Sequence, residues 1–217
     1  MESITVLLAR AAALMDIAAL DPNSVMSPPD AISALIEKYA FTRYPKFDEI
    51  DLQKGVQFSY GKLREINIVN LTLFATGIAI DTGSSTDHAE TVLLDFLDSA
   101  RRTLGASIQP RRRVFLSNLG FTSSMKMTVL HPVLQQIADR VTASVSRDID
   151  QPLNYEPTAV FINLDPSLHK FQPSSFTIDR RAEMPFSENS YFSAAPLRTA
   201  EHIELVKLFE DALLACH

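Results

Sequence analysis

Between Val56 and Ile80 apolar residues fall at every second position, and between Ala89 and Leu104 they fall at every third or fourth. Val56, Phe58 and Tyr60, then Ile66 and Ile68, then Leu71 and Leu73 alternate with polar neighbours. Ala75-Thr76-Gly77 turns the chain into Ile78-Ala79-Ile80. A period of two places one side of a strand against a core, so this stretch predicts a three-stranded antiparallel meander. Ala89, Val92, Leu93, Phe96, Leu97, Ala100 and Leu104 make one stripe of an amphipathic helix, with Asp87 and Glu90 read as a capping box and Gly105 as its stop. A meander feeding a helix, without strict alternation of strands and helices, selects α+β over α/β.

The remaining segments complete a single α+β domain over 1–217, mainly antiparallel sheet packed with about five helices. Residues 3–20 are apolar on nearly every side and predict a helix buried in the core or in a subunit contact; with the next helix they make residues 1–45 a helical N-terminal part. Asp21 to Ser27 reads as a polar connection. Ser27-Pro28-Pro29-Asp30 starts the second helix, whose buried face is Ile32, Leu35, Ile36 and Tyr39. Short strands are expected at 113–117, 158–164 and 175–179, and a helix from about 129 with Leu130, Leu134, Ile137, Val141 and Val145 inward. Residues 181–198 show no period and predict a long ordered loop. The final helix, 199–215, turns Leu205, Leu208, Phe209, Ala212 and Leu213 to one side.

The chain is long enough to bury roughly 70% of its unfolded surface, so it needs no staple. Cys216 is its only cysteine, which removes intrachain disulfides and thiolate metal cages and suits a reducing, cytoplasmic setting. No apolar run reaches the ~20 residues of a membrane span, and Glu2, Arg10 and Asp16 make the N-terminus a poor signal peptide. Asn70-Leu71-Thr72 matches the glycosylation pattern but falls in a predicted strand, where it reads as a chance match. The six glycines do not have the spacing of a dinucleotide fingerprint, a P-loop or a nucleophile elbow, each of which needs backbone unobstructed by Cβ. No cofactor is expected. The histidines at 88, 131, 169, 202 and 217 include no i, i+4 helical pair, so no metal is expected, and His88 and His202 read as solvated first-turn residues.

Two short motifs carry catalytic associations. Asp81-Thr82-Gly83-Ser84-Ser85, following an apolar strand, resembles the active-site signature of aspartic proteases, in which two aspartates share a proton and activate water. With a single Asp-Thr-Gly the resemblance implies a symmetric dimer; the competing reading is a polar strand-to-helix turn. Ser123 and Lys126 have the Ser-x-x-Lys spacing that is similar to penicillin-recognising enzymes, but the Lys-Thr-Gly element is missing. The competing reading there is a polar lead-in to the helix.

Charge is distributed unevenly. From Arg101 to Arg147 there are eight basic residues against the lone acid Asp139, a local +7, while the rest holds twelve bases and 25 acids, −13, giving the net −6. Arg101, Arg102, Arg111, Arg112 and Arg113 are therefore candidate anion-binding residues, since the guanidinium fork suits phosphate and carboxylate. The 181–198 stretch carries Phe186, Tyr191 and Phe192, candidate partner-binding anchors on a proline-stiffened loop. The expected function is a non-catalytic interaction or assembly subunit that meets a protein partner or a second copy of itself through the apolar N-terminal helix and the aromatic proline-rich loop. The alternative is an anion-, nucleotide- or nucleic-acid-binding module, or a hydrolase, using 101–147. Nucleic acid is less favoured because aromatic interleaving is missing, and no membrane contact is expected.

Overall fold

The computed structural model describes residues 3–21, 26–104, 109–124, 126–130, 132–167 and 171–215. Gly105, Met125, His131, His169, Cys216 and His217, part of the connection at 22–25 and the inward placement of Leu130 lie outside what is described. The architecture is α+β, with eight strands and four α-helices among the described residues. In order these are β1 (Ser3–Leu14), α1 (Pro28–Tyr39), β2 (Val56–Leu63), β3 (Ile66–Phe74), β4 (Gly77–Thr82), α2 (Thr86–Leu104), β5 (Arg112–Thr122), α3 (Pro132–Ile149), β6 (Ala159–Ile162), β7 (Phe176–Arg180), β8 (Ser190–Ala195) and α4 (Thr199–Ala215). The chain divides into two compact units. The first unit holds Met1–Thr5, Leu119–Ala195 and Glu201–His217, and the second holds Val6–Asn118 and Pro196–Ala200.

In the second unit the strand order is β2-β3-β4-β1-β5. The expected meander is present: β2 pairs antiparallel with β3 and β3 with β4. β1 adds beside β4, with Ala9 opposite Thr82 and Leu14 opposite Gly77. The helix expected at 3–20 is thus corrected to a strand followed by a 3-10 turn at Ile17–Leu20. An apolar run flanked by strands on both sides is apolar at odd and even positions alike, so its period cannot separate strand from buried helix. What decides here is Ala9, Ala11 and Ala13, all fully buried at alternate positions. That substitution of strand for helix is also why four α-helices replace the expected five.

The core of this unit joins Ala11, Phe58, Leu71, Ile78 and Ile80 of the sheet to Val92, Leu93 and Phe96 of α2. α1 starts as read: the Ser27 side chain accepts the Asp30 N–H, prolines occupy the first positions, and Ala40 ends the helix in the left-handed region. The capping box read at Asp87 and Glu90 is corrected, because Ser85 Oγ accepts the His88 N–H at 3.2 Å and is the cap. Gly77 is irreplaceable for a steric reason. A Cβ built there would lie 2.3 Å from the Ala13 carbonyl oxygen, backbone that cannot swing aside. Gly77→Ala should destabilise this unit by about 3 kcal/mol through forced separation of β4 from β1, read as a lowered urea midpoint with unchanged slope.

In the first unit the order is β5-β8-β7-β6, with β6–β7 and β7–β8 antiparallel. Its core contains Leu119, Phe121, Met127, Ile178, Tyr191, Val206 and Leu213. The expected loop at 181–198 is corrected to a 3-10 turn, Phe186–Glu188, and the strand β8. The strand expected at 113–117 continues to Thr122. Tyr191, Ser193 and Ala195 alternate inward along β8, and two of these three are small, so they leave no apolar period to read.

Candidate interaction surface

α3 is an 18-residue amphipathic helix, and none of its described side chains is buried. Counted in heptads, Leu134, Ile137, Val141 and Val145 form its apolar stripe, while Val133, Arg140 and Arg147, seven apart, form the row along one flank. Val133 is 70% exposed, Leu134 45%, Ile137 55% and Val141 39%. The inward orientation expected for this stripe is corrected: Leu134, Ile137 and Val141 face out and Val145 is half-buried. The following segment covers a different side, where Thr142 Oγ1 accepts the Tyr155 N–H and Ser146 Oγ accepts the Leu153 N–H, both at 3.0 Å. In proteins most helical stability comes from packing of an amphipathic face rather than from propensity. Six of the 18 residues are the β-branched Val133, Ile137, Val141, Thr142, Val145 and Ile149, which weakens intrinsic helicity.

α4 shows a related inversion. It buries His202, Val206, Glu210 and Leu213 and leaves Leu205 and Leu208 outside, Leu208 at 62%. The apolar side read from the sequence is therefore largely the exposed one. Polar partners explain the choice: Glu210 accepts a hydrogen bond from Ser123 Oγ at 3.1 Å, and His202 Nε2 lies 2.8 Å from Ser193 Oγ. At the end of the strand order, β6 shows Phe161 and Ile162, both more than 60% exposed, on opposite faces of a four-residue edge strand. Exposed apolar groups on two helices and an edge strand of one unit exceed the scattered leucines of an ordinary surface.

The arginines singled out from sequence are exposed, and Arg101 and Arg113 among them pair with acids. Arg101 pairs with Asp98 at 3.1 Å, Arg102 Nε donates to the Asp98 carbonyl, and Arg113 pairs with Glu90 at 2.7 Å. Glu90 also takes Arg198, whose other arm reaches Asp87 at 2.8 Å while its guanidinium lies 4.0 Å from the Phe115 ring. The Arg111 N–H donates to the Leu14 carbonyl, extending the β1–β5 ladder, and Arg112 opens β5 on its exposed side. Of the aromatic candidates, Phe186 lies under the Arg180 guanidinium at 4.6 Å and Phe192 is half-buried on β8. Tyr191 is fully buried, stacked on Phe121 at 5.3 Å, with its hydroxyl accepting the Met127 N–H.

The groups that suggested catalysis are held in structural bonds. Asp81, 3% exposed, is clamped by Arg10, Nε to Oδ1 at 2.6 Å and Nη2 to Oδ2 at 2.9 Å, and Asn70 adds a donor at 3.4 Å. That pairing raises the Arg10 guanidinium above its ordinary range. Both carboxylate oxygens of Asp81 are engaged by side-chain donors of the same unit. Lys126 stands beside Glu156 and Ser123 beside Glu210, so the Ser-x-x-Lys spacing does not make a dyad. The sequence reading missed Ser193 and His202, both fully buried, correcting the solvated placement of His202. Ser193 Oγ also lies 2.7 Å from the Thr177 carbonyl. A carbonyl only accepts, so the single hydroxyl proton goes there and Nε2–H must donate to Oγ; the serine is not activated. Among the described residues no cluster of three side chains could hold a metal ion, and no helix is long and apolar enough to cross a membrane.

Burial pushes the phenols of Tyr39 and Tyr191 up, and for Tyr39 a hydrogen bond to Asp95 at 2.8 Å adds to it. A raised folded-state value means the stability these groups contribute is fully present below the unfolded phenol value, about 10, and is lost as pH rises beyond it. In an alkaline titration part of the tyrosinate absorbance should therefore arrive only with loss of helical ellipticity. Tyr39→Phe should remove about half of that late step.

No protein-family model matches the chain, and a search of curated proteins returns no match.

Proposed function

We propose that the protein is a non-catalytic interaction subunit whose first unit docks a partner protein along α3. The observation that carries this reading is a helix with weak intrinsic propensity and no buried side chain among those described, with Leu134, Ile137 and Val141 of its apolar stripe exposed. Such a segment gains its helical stability from a surface that covers it.

The charge on the flank selects the partner. Two copies of α3 packed antiparallel would set Arg140 and Arg147 of each against those of the other, because flanking rows of the same kind meet in that arrangement. Like charges there oppose self-association. An amphipathic helix with acids beside its apolar face supplies both the missing cover and the opposite charge, so we assign the partner this chemistry. This differs in location from the expectation of docking through residues 3–20, which belong mostly to β1, and through the 181–198 stretch, which holds a 3-10 turn and β8.

The test is in-cell photo-cross-linking from position 141, with Gln136 on the polar side as control. The expected adduct maps to an acidic amphipathic helix of another protein and disappears in Arg140→Glu/Arg147→Glu. An adduct to a second copy of this chain would replace the heterologous reading, and equal labelling from 141 and 136 would overturn docking along this stripe.

A further inference from the structure

The second unit contains a half-open pocket of about 300 Å³ between α1 and α2, with Leu73 of β3 on its wall. Leu35, Leu73, Phe96, Ala100 and Leu104 make its walls. That volume is about ten water molecules at ~30 Å³ each, and it sits at the lower end of small-molecule sites. A lining this apolar offers water few partners, so the space is better filled by carbon than by solvent.

The polar groups around it constrain the ligand further. Lys38 Nζ lies 2.7 Å from Asp95 Oδ2 and 3.3 Å from the Asp95 carbonyl, and Tyr39 donates to the same carboxylate. Lys38 is therefore already neutralised. Asp21, also on the lining, accepts the Met26 N–H at 2.8 Å and adds a negative charge. An anionic headgroup would meet no net positive charge here. Ser99 and Thr103, one turn apart on α2, both line the cavity and offer hydroxyls that donate and accept.

We infer that this cavity is a binding site for an uncharged, chain-like apolar ligand bearing one hydroxyl or carbonyl, its body between α1 and α2 and its polar end at Ser99 and Thr103. The inference does not rest on the α3 reading, which concerns the other unit.

The test is calorimetric titration of the whole chain with straight primary alcohols of increasing length. Saturable one-to-one binding is expected, tightening roughly fourfold per added methylene and then levelling once the chain outgrows the cavity. Ala34→Phe and Thr103→Phe extend a ring into the space from opposite helices, at positions exposed enough to leave the fold intact, and each should weaken binding at least tenfold. Carboxylates and alkylammonium ions of matched length should bind less tightly than the alcohol. Non-saturable partitioning, absence of binding, or unchanged affinity in both variants would overturn the site. A carboxylate or an alkylammonium ion binding tenfold tighter than its alcohol would overturn the assignment of an uncharged ligand.

Discussion

Arg180→Met should destabilise the first unit by about 3–5 kcal/mol, the cost of leaving a buried charge without its partner. The Arg180 side chain is 4% exposed and Glu156 8%, with Nη2 3.2 Å from Oε2. Arg180 also donates to the Phe186 carbonyl at 2.7 Å, and its guanidinium covers the rings of Phe186 and Tyr191. Methionine keeps much of the stem volume but supplies none of the five donors. Glu156 would retain Asn154 Nδ2 at 3.0 Å and the more distant Lys126 ammonium, which is why the loss stops short of a fully stranded carboxylate. Adding Glu156→Gln should recover about half the loss, since the buried charge is then gone and only hydrogen bonds and ring contacts remain missing. Denaturant melts of the wild type, the two single variants and the double variant measure this cycle. A loss below 1 kcal/mol for Arg180→Met would show that water reaches Glu156 and that the pair does not organise this unit.

The second large effect concerns α3. In the purified chain without a partner, α3 amides should exchange orders of magnitude faster than those of α2, whose face is buried from Ala89 to Ala100. Val141→Asp places a charge at the centre of the stripe. It should leave the melting of the isolated chain within ~0.5 kcal/mol, as for an exposed position, yet weaken the partner complex by more than about 30-fold, the loss expected at an interface hot spot. One substitution thus separates binding, which falls, from stability, which is unchanged. Strong exchange protection of α3 in the monomer would contradict the docking reading, as would full binding by Val141→Asp.

The elements legible in the sequence are those with one wet side. β2, β3 and α2 alternate or stripe because one face meets water, and Ser27 with its two prolines announces α1. β1 was opaque because alanine and leucine occupy both of its faces, and β8 because Ser193 and Ala195 are inward yet small. For α3 the sequence contained the stripe but not its direction: Leu134, Ile137 and Val141 predict an apolar face equally well whether the cover comes from the same chain or another. α4 misled differently, since the buried side is chosen by hydrogen bonds of His202 and Glu210 with Ser193 and Ser123, residues 9 and 87 positions away. The arginine excess was read correctly as charge, but acids from distant positions, such as Glu90 for Arg113, meet part of it.

The order of β1 ahead of both its sheet neighbours has a consequence for biosynthesis. β1 leaves the ribosome before either neighbour exists: β4 ends at Thr82 and β5 at Thr122. At ~5–20 residues per second, about 5–20 s pass between emergence of Leu14 and completion of β5. Until β4 is complete a strand-prone segment rich in leucine and alanine has both edges open, the state most exposed to aggregation, and one edge stays open until β5 follows. Yield of soluble protein should therefore depend on elongation rate and on chaperones that shield nascent chains, more than on the equilibrium stability of the finished fold.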